Sequence, residues 1–173
     1  MTQLLADVGP AAGIEAPLVV RVQMGQCAVG HAPTTLRTVG LGSCLAIAIF
    51  APVQQLVALA HCLLPQRQDD DAVLEKYVDS AVPHLLASLR AAGGSEPFTA
   101  ALVGGASMFP GVAAADARDI GAANIAAARA MLTNSAVPVR SEDVGGHVGR
   151  SVLVDPVTQR VIVHTIRGGE RCL

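Results

Sequence analysis

Thr38-Val39-Gly40-Leu41-Gly42-Ser43-Cys44 places two glycines ahead of a cysteine, and seventeen residues further on stands His61 in Ala60-His61-Cys62-Leu63-Leu64-Pro65. A thiol and an imidazole are the pair that nucleophilic acyl chemistry requires, the imidazole taking the thiol proton and returning it to the leaving group. A thiol after a glycine turn can also lie near unpaired backbone N–H groups, which lower its pKa and later hold an oxyanion. Thr38, six residues before Cys44, carries a hydroxyl that could orient the imidazole. The competing reading is equally physical. Free cysteines are mostly small buried hydrophobes, a strand threonine is ordinarily only that, and a lone histidine is commonly satisfied by backbone.

Other candidates are weaker on their settings. Ser43 is a rival nucleophile, but the residue two beyond it is Leu45, so the Gly-x-Ser-x-Gly elbow is absent. His31, His84, His147 and His164 are also available as bases and spacing alone excludes none of them; His84 on a helix and His147 and His164 in turn and strand settings read as structural. Cys27, Cys62 and Cys172 lack a glycine setting, and Cys62 should point to the opposite strand face from His61. No Cys-x-x-Cys pair occurs, so spacing supplies no zinc motif. The glycine clusters carry neither the third glycine of a dinucleotide fingerprint nor a Gly-Lys-Ser/Thr, so they read as turns rather than phosphate loops.

The elements that must position Cys44 and His61 follow from the apolar pattern. Leu45 to Phe50 is apolar at every residue, which fits an element buried on both faces, either a central strand or a short buried helix. Ala51 to Gln55 is a turn, and Leu56 to Leu64 is a second apolar run stopped by Pro65. If both runs are strands, a hairpin brings the start of one beside the end of the other, and Cys44 beside His61. Leu18 to Met24, a short strand within Gly25 to Gly30, and Pro33 to Val39 are extended segments. The acidic loop Gln66 to Asp71 leads to a helix with apolar positions from Leu74 to Leu89, in which Pro83 predicts a kink or a second helix start. Gly93-Gly94 ends it. Phe98 to Val103 is a strand, and Met108 to Asp119 is irregular. Gly121 to Leu132 is a second helix with Asp119 as cap. Val137 to Arg140, Ser151 to Val154 and Arg160 to Ile166 are strands, and Asp143 to Arg150 a glycine-rich turn. Residues 1–17 read as a flexible leader and 18–173 as one domain.

Composition narrows the function class. The 173 residues are 51% hydrophobic and 15% charged, enough for a substantial core. Aromatics are only 2% and the net charge is −2, with eleven arginines and Lys76 spread along the chain, so neither base stacking nor phosphate tracking is expected. No stretch approaches the ~20 apolar residues of a membrane span, and the start does not read as a signal peptide. A cytoplasmic, reducing location is the expectation, with free thiols.

Five pieces, taken together and in order, resemble the CheD family of chemoreceptor glutamine deamidases. They are Thr38 to Cys44, Ala60 to Pro65, Val103-Gly104-Gly105-Ala106-Ser107-Met108, Ile120-Gly121-Ala122-Ala123-Asn124, and Asp143 to Arg150. The resemblance spans about Val19 to Ile166. It implies catalytic Cys44, His61 and Thr38, no metal or organic cofactor, and hydrolysis of selected receptor glutamines to glutamate with release of ammonia. It also implies an α+β fold, in which packed mixed β-sheets form a sandwich-like core flanked by two or three helices, as in related deamidating toxins. Chemoreceptor cytoplasmic helices would be the substrate, and a CheC-type phosphatase a partner in some organisms. The alternatives are a regulatory module that docks such a phosphatase or receptor with little catalysis, and a general thiol hydrolase or small-amide glutaminase. The chain departs from the family's habit at Cys62, at Ala123, and in lacking a lysine just before Gly104, which bears on substrate choice rather than on the three catalytic positions.

Overall fold

A computed structural model describes residues 18–67, 72–107 and 119–173. The expected leader, most of the acidic loop and most of the irregular stretch after Ser107 lie outside these residues. Among the described residues the ten strands are β1 (Val19–Arg21), β2 (Cys27–His31), β3 (Thr35–Leu41), β4 (Leu45–Ala51), β5 (Leu56–Cys62), β6 (Thr99–Gly104), β7 (Val139–Val144), β8 (Arg150–Val154), β9 (Val161–Thr165) and β10 (Gly169–Cys172). The helices are α1 (Val78–Ala91) and α2 (Ile120–Asn134). The strands form two five-stranded mixed sheets, ordered β1-β3-β8-β9-β10 and β2-β5-β4-β6-β7. The expected α+β class with packed mixed sheets is the observed one, with two α-helices among the described residues.

β4 and β5 are the two strands buried at every residue, which is why they read as apolar runs, interrupted in β5 only by His61. Their period of two divides the core. Leu45, Ile47 and Ile49 on β4, with Ala58, Ala60 and Cys62 on β5, meet Val82, Leu85 and Leu89 of α1 and Ala128 and Leu132 of α2. Ala46, Ala48 and Phe50, with Val57 and Leu59, face the other way, onto Leu36, Val152, Val154 and Val163 of the second sheet. The molecule is thus three layers: sheet, central sheet, helices. Each large side chain fully withdrawn from water in these two interfaces contributes about 1.5 to 3 kcal/mol.

The β4–β5 hairpin closes through a 3-10 turn at Pro52–Gln54, and Gln55 takes the left-handed conformation at its end. Its register sets Leu45 opposite Cys62 and Ala46 opposite His61. Cys62 faces the helices and His61 the other sheet, as alternation requires.

Two expectations about α1 need correction. The helix begins at Val78, not at Leu74; Leu74–Lys76 forms a separate 3-10 turn. Asp79 is the acidic residue of its first turn, where it favours the dipole. The helix also continues through Pro83 as one element, so Pro83 does not start a second helix. Proline this near the start removes a single intrahelical bond, and the buried row Ala81, Val82, Leu85, Leu86, Leu89 holds the helix across it. α2 follows expectation, with the Asp119 carboxylate accepting from the Ala122 amide at 3.1 Å. β7 and β8 extend into the stretch read as a turn, leaving only residues 145–149 between them. β10 is an additional strand, exposed at all four residues. No helix among the described residues is long and apolar enough to cross a membrane.

Candidate active site

Thr38 and His61 meet between the two sheets. Thr38 lies on β3, whose pairing with β8 shifts register between Thr38 and Leu41. Gly40 sits in that irregular stretch at φ +77°, a conformation that L side chains rarely adopt. The threonine hydroxyl is 2.8 Å from His61 Nδ1, and both residues are essentially excluded from solvent. The other ring nitrogen, Nε2, is buried with no hydrogen-bond partner among the described residues.

Cys44 stands just before β4, two residues ahead of Ala46, the cross-strand neighbour of His61. Cys44, Ala46 and His61 therefore share the face toward the second sheet, and Cys44 packs at the edge of that core. Such diagonal neighbours have Cα atoms roughly 7 to 8 Å apart, within reach of a side chain as long as histidine. The structure thus joins Thr38 to His61 by a hydrogen bond and sets Cys44 on the same face, diagonal to the histidine.

Further contacts fix the backbone around Cys44. The Gly105 amide donates to the Cys44 carbonyl at 2.7 Å, and the Ala106 amide to the Gly42 carbonyl at 2.7 Å. Gly104, at φ +116°, lies so near that a Cβ there would fall 2.4 Å from the Cys44 carbonyl oxygen. The close approach itself therefore requires glycine. Asn124, fully buried on α2, donates from one amide nitrogen to the carbonyls of Ser43 and Leu63, both at 3.0 Å. One helix side chain thus ties the residue before the thiol to the strand end just beyond the imidazole. Reading the sequence assigned Asn124 no role, although a single asparagine among the alanines of Gly121 to Ala128 was the available signal.

The electrostatics differ from the expectation of a lowered thiol pKa. Burial raises the Cys44 pKa and outweighs its own backbone amide, which acts the other way. Burial likewise lowers the His61 pKa. Both shifts favour neutral thiol and neutral imidazole over an ion pair. With Nδ1–H donating to Thr38, Nε2 is left as the lone-pair acceptor for a proton. Alkylation of Cys44 by iodoacetamide, followed by peptide mass mapping, should therefore accelerate up to and beyond pH 9, the ordinary thiol value. A rate that levels off between about pH 6 and 8 would instead mark a resting thiolate–imidazolium pair.

The other candidates lie elsewhere or are otherwise engaged. His31 and His147 are exposed, with Nδ1 beside the carbonyls of Ala32 and Ser107, and His164 is exposed on β9. His84 pairs with Glu75 at 3.2 Å. Ser43 has its carbonyl held by Asn124. Burial, together with the Glu75 carboxylate, pushes the Cys27 thiol up to about 11, and burial raises Cys62 further. All four cysteines are free.

Comparison with known proteins gives the family. A family model described as CheD chemotactic sensory transduction matches residues 63–165, well over half of the chain. The chain belongs to the CheD family. A chemoreceptor glutamine deamidase CheD of Halalkalibacterium halodurans is 34% identical over 157 residues, covering 88% of this chain and 97% of that protein. One of the same name from Thermotoga maritima is 34% identical over 151 residues, covering 87% and 94%. A probable chemoreceptor glutamine deamidase CheD of Methanococcus vannielii reaches 38% over 139 residues, covering 79% and 88%. The stretch matched by the CheD model starts two residues after His61. It contains Gly104, Gly105 and Asn124, the residues that brace the Cys44 turn, while Thr38, Cys44 and His61 precede it.

Proposed function

We infer that this chain is a cysteine-dependent protein-glutamine deamidase that converts selected chemoreceptor glutamines to glutamates in chemotaxis adaptation. The observation that carries the reading is the buried Thr38–His61 hydrogen bond of 2.8 Å, which leaves Nε2 unpartnered on the face shared with Cys44. The names borne by its CheD relatives supply the substrate class.

In this mechanism His61 Nε2 takes the Cys44 proton as the sulfur attacks the glutamine side-chain carbonyl carbon. The amides of Ser43 and Cys44, which make none of the turn and loop hydrogen bonds of the described residues, are the candidate donors to the oxyanion. Collapse of the intermediate expels the amide nitrogen, which leaves as ammonia with the proton from His61. Water, giving a proton to His61, then attacks the thioester; glutamate and the free thiol are the products. Thr38 keeps the imidazole in the tautomer and orientation that both half-reactions need. The same reading places the protein in the cytoplasm, with receptor cytoplasmic helices as substrate and a CheC-type phosphatase as a partner implied by the family resemblance.

Incubation with a receptor cytoplasmic fragment should add about one dalton per modified site, the amide-to-acid difference, together with one ammonia. Cys44→Ala should abolish both while leaving thermal stability close to wild type. Equal mass gain with wild type and Cys44→Ala would overturn the assignment.

A further inference from the structure

On the helix side of the central sheet, away from the Cys44–His61 face, three potential metal ligands converge from three elements. They are Cys27 at the start of β2, Glu75 in the 3-10 turn before α1, and His84 in the second turn of α1. Cys27 Sγ lies 3.7 Å from Glu75 Oε1, and His84 Nε2 lies 3.2 Å from the same oxygen. All three ligand atoms fall within 4.8 Å of one another. A tetrahedral ion with bonds of about 2.0 to 2.3 Å holds its ligand atoms roughly 3.3 to 3.8 Å apart, so small side-chain adjustments close the set around one centre.

We propose that Cys27, Glu75 and His84 form a binding site for a divalent transition metal of the zinc class, with solvent at the fourth position. The ligand types decide the class. A thiolate with an imidazole selects a borderline-soft ion and disfavours magnesium and calcium, which take oxygen shells. Partial burial of all three residues leaves the site open to solvent, with the His84 side chain 34% and the Glu75 side chain 24% exposed. The sequence carried no warning, because its cysteines show no paired spacing and the three ligands stand 48 and 9 residues apart.

The site adjoins the active site through the backbone. Cys27 pairs with Ala60, and the turn before it bonds both sides of His61: the Gly25 amide donates to the His61 carbonyl at 2.9 Å, and the His61 amide to the Gln26 carbonyl at 3.0 Å. A bound ion therefore pins the strand that supports the His61 backbone to α1. It takes no part in the amide chemistry.

Titration of the full chain with cobalt(II) tests this. One equivalent should produce thiolate-to-cobalt charge-transfer absorption and the visible bands of a four-coordinate ion, both displaced by zinc(II), and zinc(II) alone should raise the melting temperature. The charge-transfer band should persist in Cys44→Ala and vanish in Cys27→Ser. His84→Ala, at a partly exposed helix position that is safe for folding, and Glu75→Gln should each weaken cobalt binding at least about tenfold. A wild-type protein without the charge-transfer band would overturn the proposal. So would a band that survives Cys27→Ser or is lost with Cys44→Ala, since the ion would then sit on other thiols.

Discussion

His61→Ala is expected to lower the rate of receptor deamidation by roughly 10³-fold, the middle of the range for a positioned acid–base group. The loss should fall mainly on kcat, because the imidazole moves protons and does not hold the substrate. It also separates from a loss of the nucleophile. Since burial keeps the resting thiol protonated, alkylation of Cys44 by iodoacetamide should change far less than deamidation. Thr38→Val removes the hydroxyl at nearly constant volume. It leaves His61 Nδ1 buried and unpaired, which costs about 1 to 3 kcal/mol of stability and frees the ring to turn. A rate loss of ~10²-fold is expected from that misplacement, with most of it recovered by Thr38→Ser, which restores the hydroxyl. Wild-type turnover by His61→Ala would remove the histidine from the mechanism. Wild-type turnover by Thr38→Val would reduce Thr38 to packing.

The second large effect concerns stability. Asp143 on β7 is buried and binds two arginines: Arg150 on β8 at 3.0 Å and Arg171 on β10 at 3.0 Å. These bonds cross from the central sheet to the outer one. Asp143→Ala leaves the Arg150 guanidinium, whose side chain is only 9% exposed, without its carboxylate. Removing one partner of such a pair costs about 3 kcal/mol, the lower end of the range, because Arg150 keeps the Val148 carbonyl and Arg171 is open to water. For a chain of this length that corresponds to a fall in melting temperature of about 6 to 12 °C. Arg171→Ala should cost well under half as much.

The same aspartate sets an acid limit. Burial alone would raise its carboxyl pKa, but hydrogen bonds from Arg171 and Arg150 and their charges hold it below the ordinary value of 3.8. As pH falls, the unfolded chain takes up this proton before the folded one. The contribution to stability is therefore complete above the ordinary carboxylate range and is lost as pH drops through 3.8 and below. Denaturant midpoints for wild type and Asp143→Asn should converge in that window and diverge above it. A constant gap across acid pH would show that the carboxylate's charge is not what Arg150 requires.

Much of the site was legible because it is local. Two apolar runs around Ala51-Pro52 make a hairpin once both are strands, and the hairpin's register places Cys44 diagonal to His61. Thr38 is different. Its approach to His61 depends on how two sheets pack, which no local pattern encodes, so its role came from the family resemblance. β10 escaped notice because Gly169–Cys172 is exposed throughout and shows no alternation. The helix start was misplaced because Leu74 and Tyr77 continue the apolar rhythm of α1 while belonging to a separate turn. The expected thiol pKa erred in direction. Two glycines advertise backbone amides, but not the depth at which the sulfur sits.

The division of labour between the sheets has a consequence for the life of the chain. Threonine and histidine sit on opposite sides of the interface filled by Leu36, Phe50, Val57, Val152 and Val163. Each sheet by itself holds an incomplete set of the three groups. A nascent or partly melted chain with both sheets formed but not docked would carry the thiol without an oriented base. Competence is thereby tied to the docking of the two sheets, because the hydrogen bond that orients the imidazole forms only across their interface.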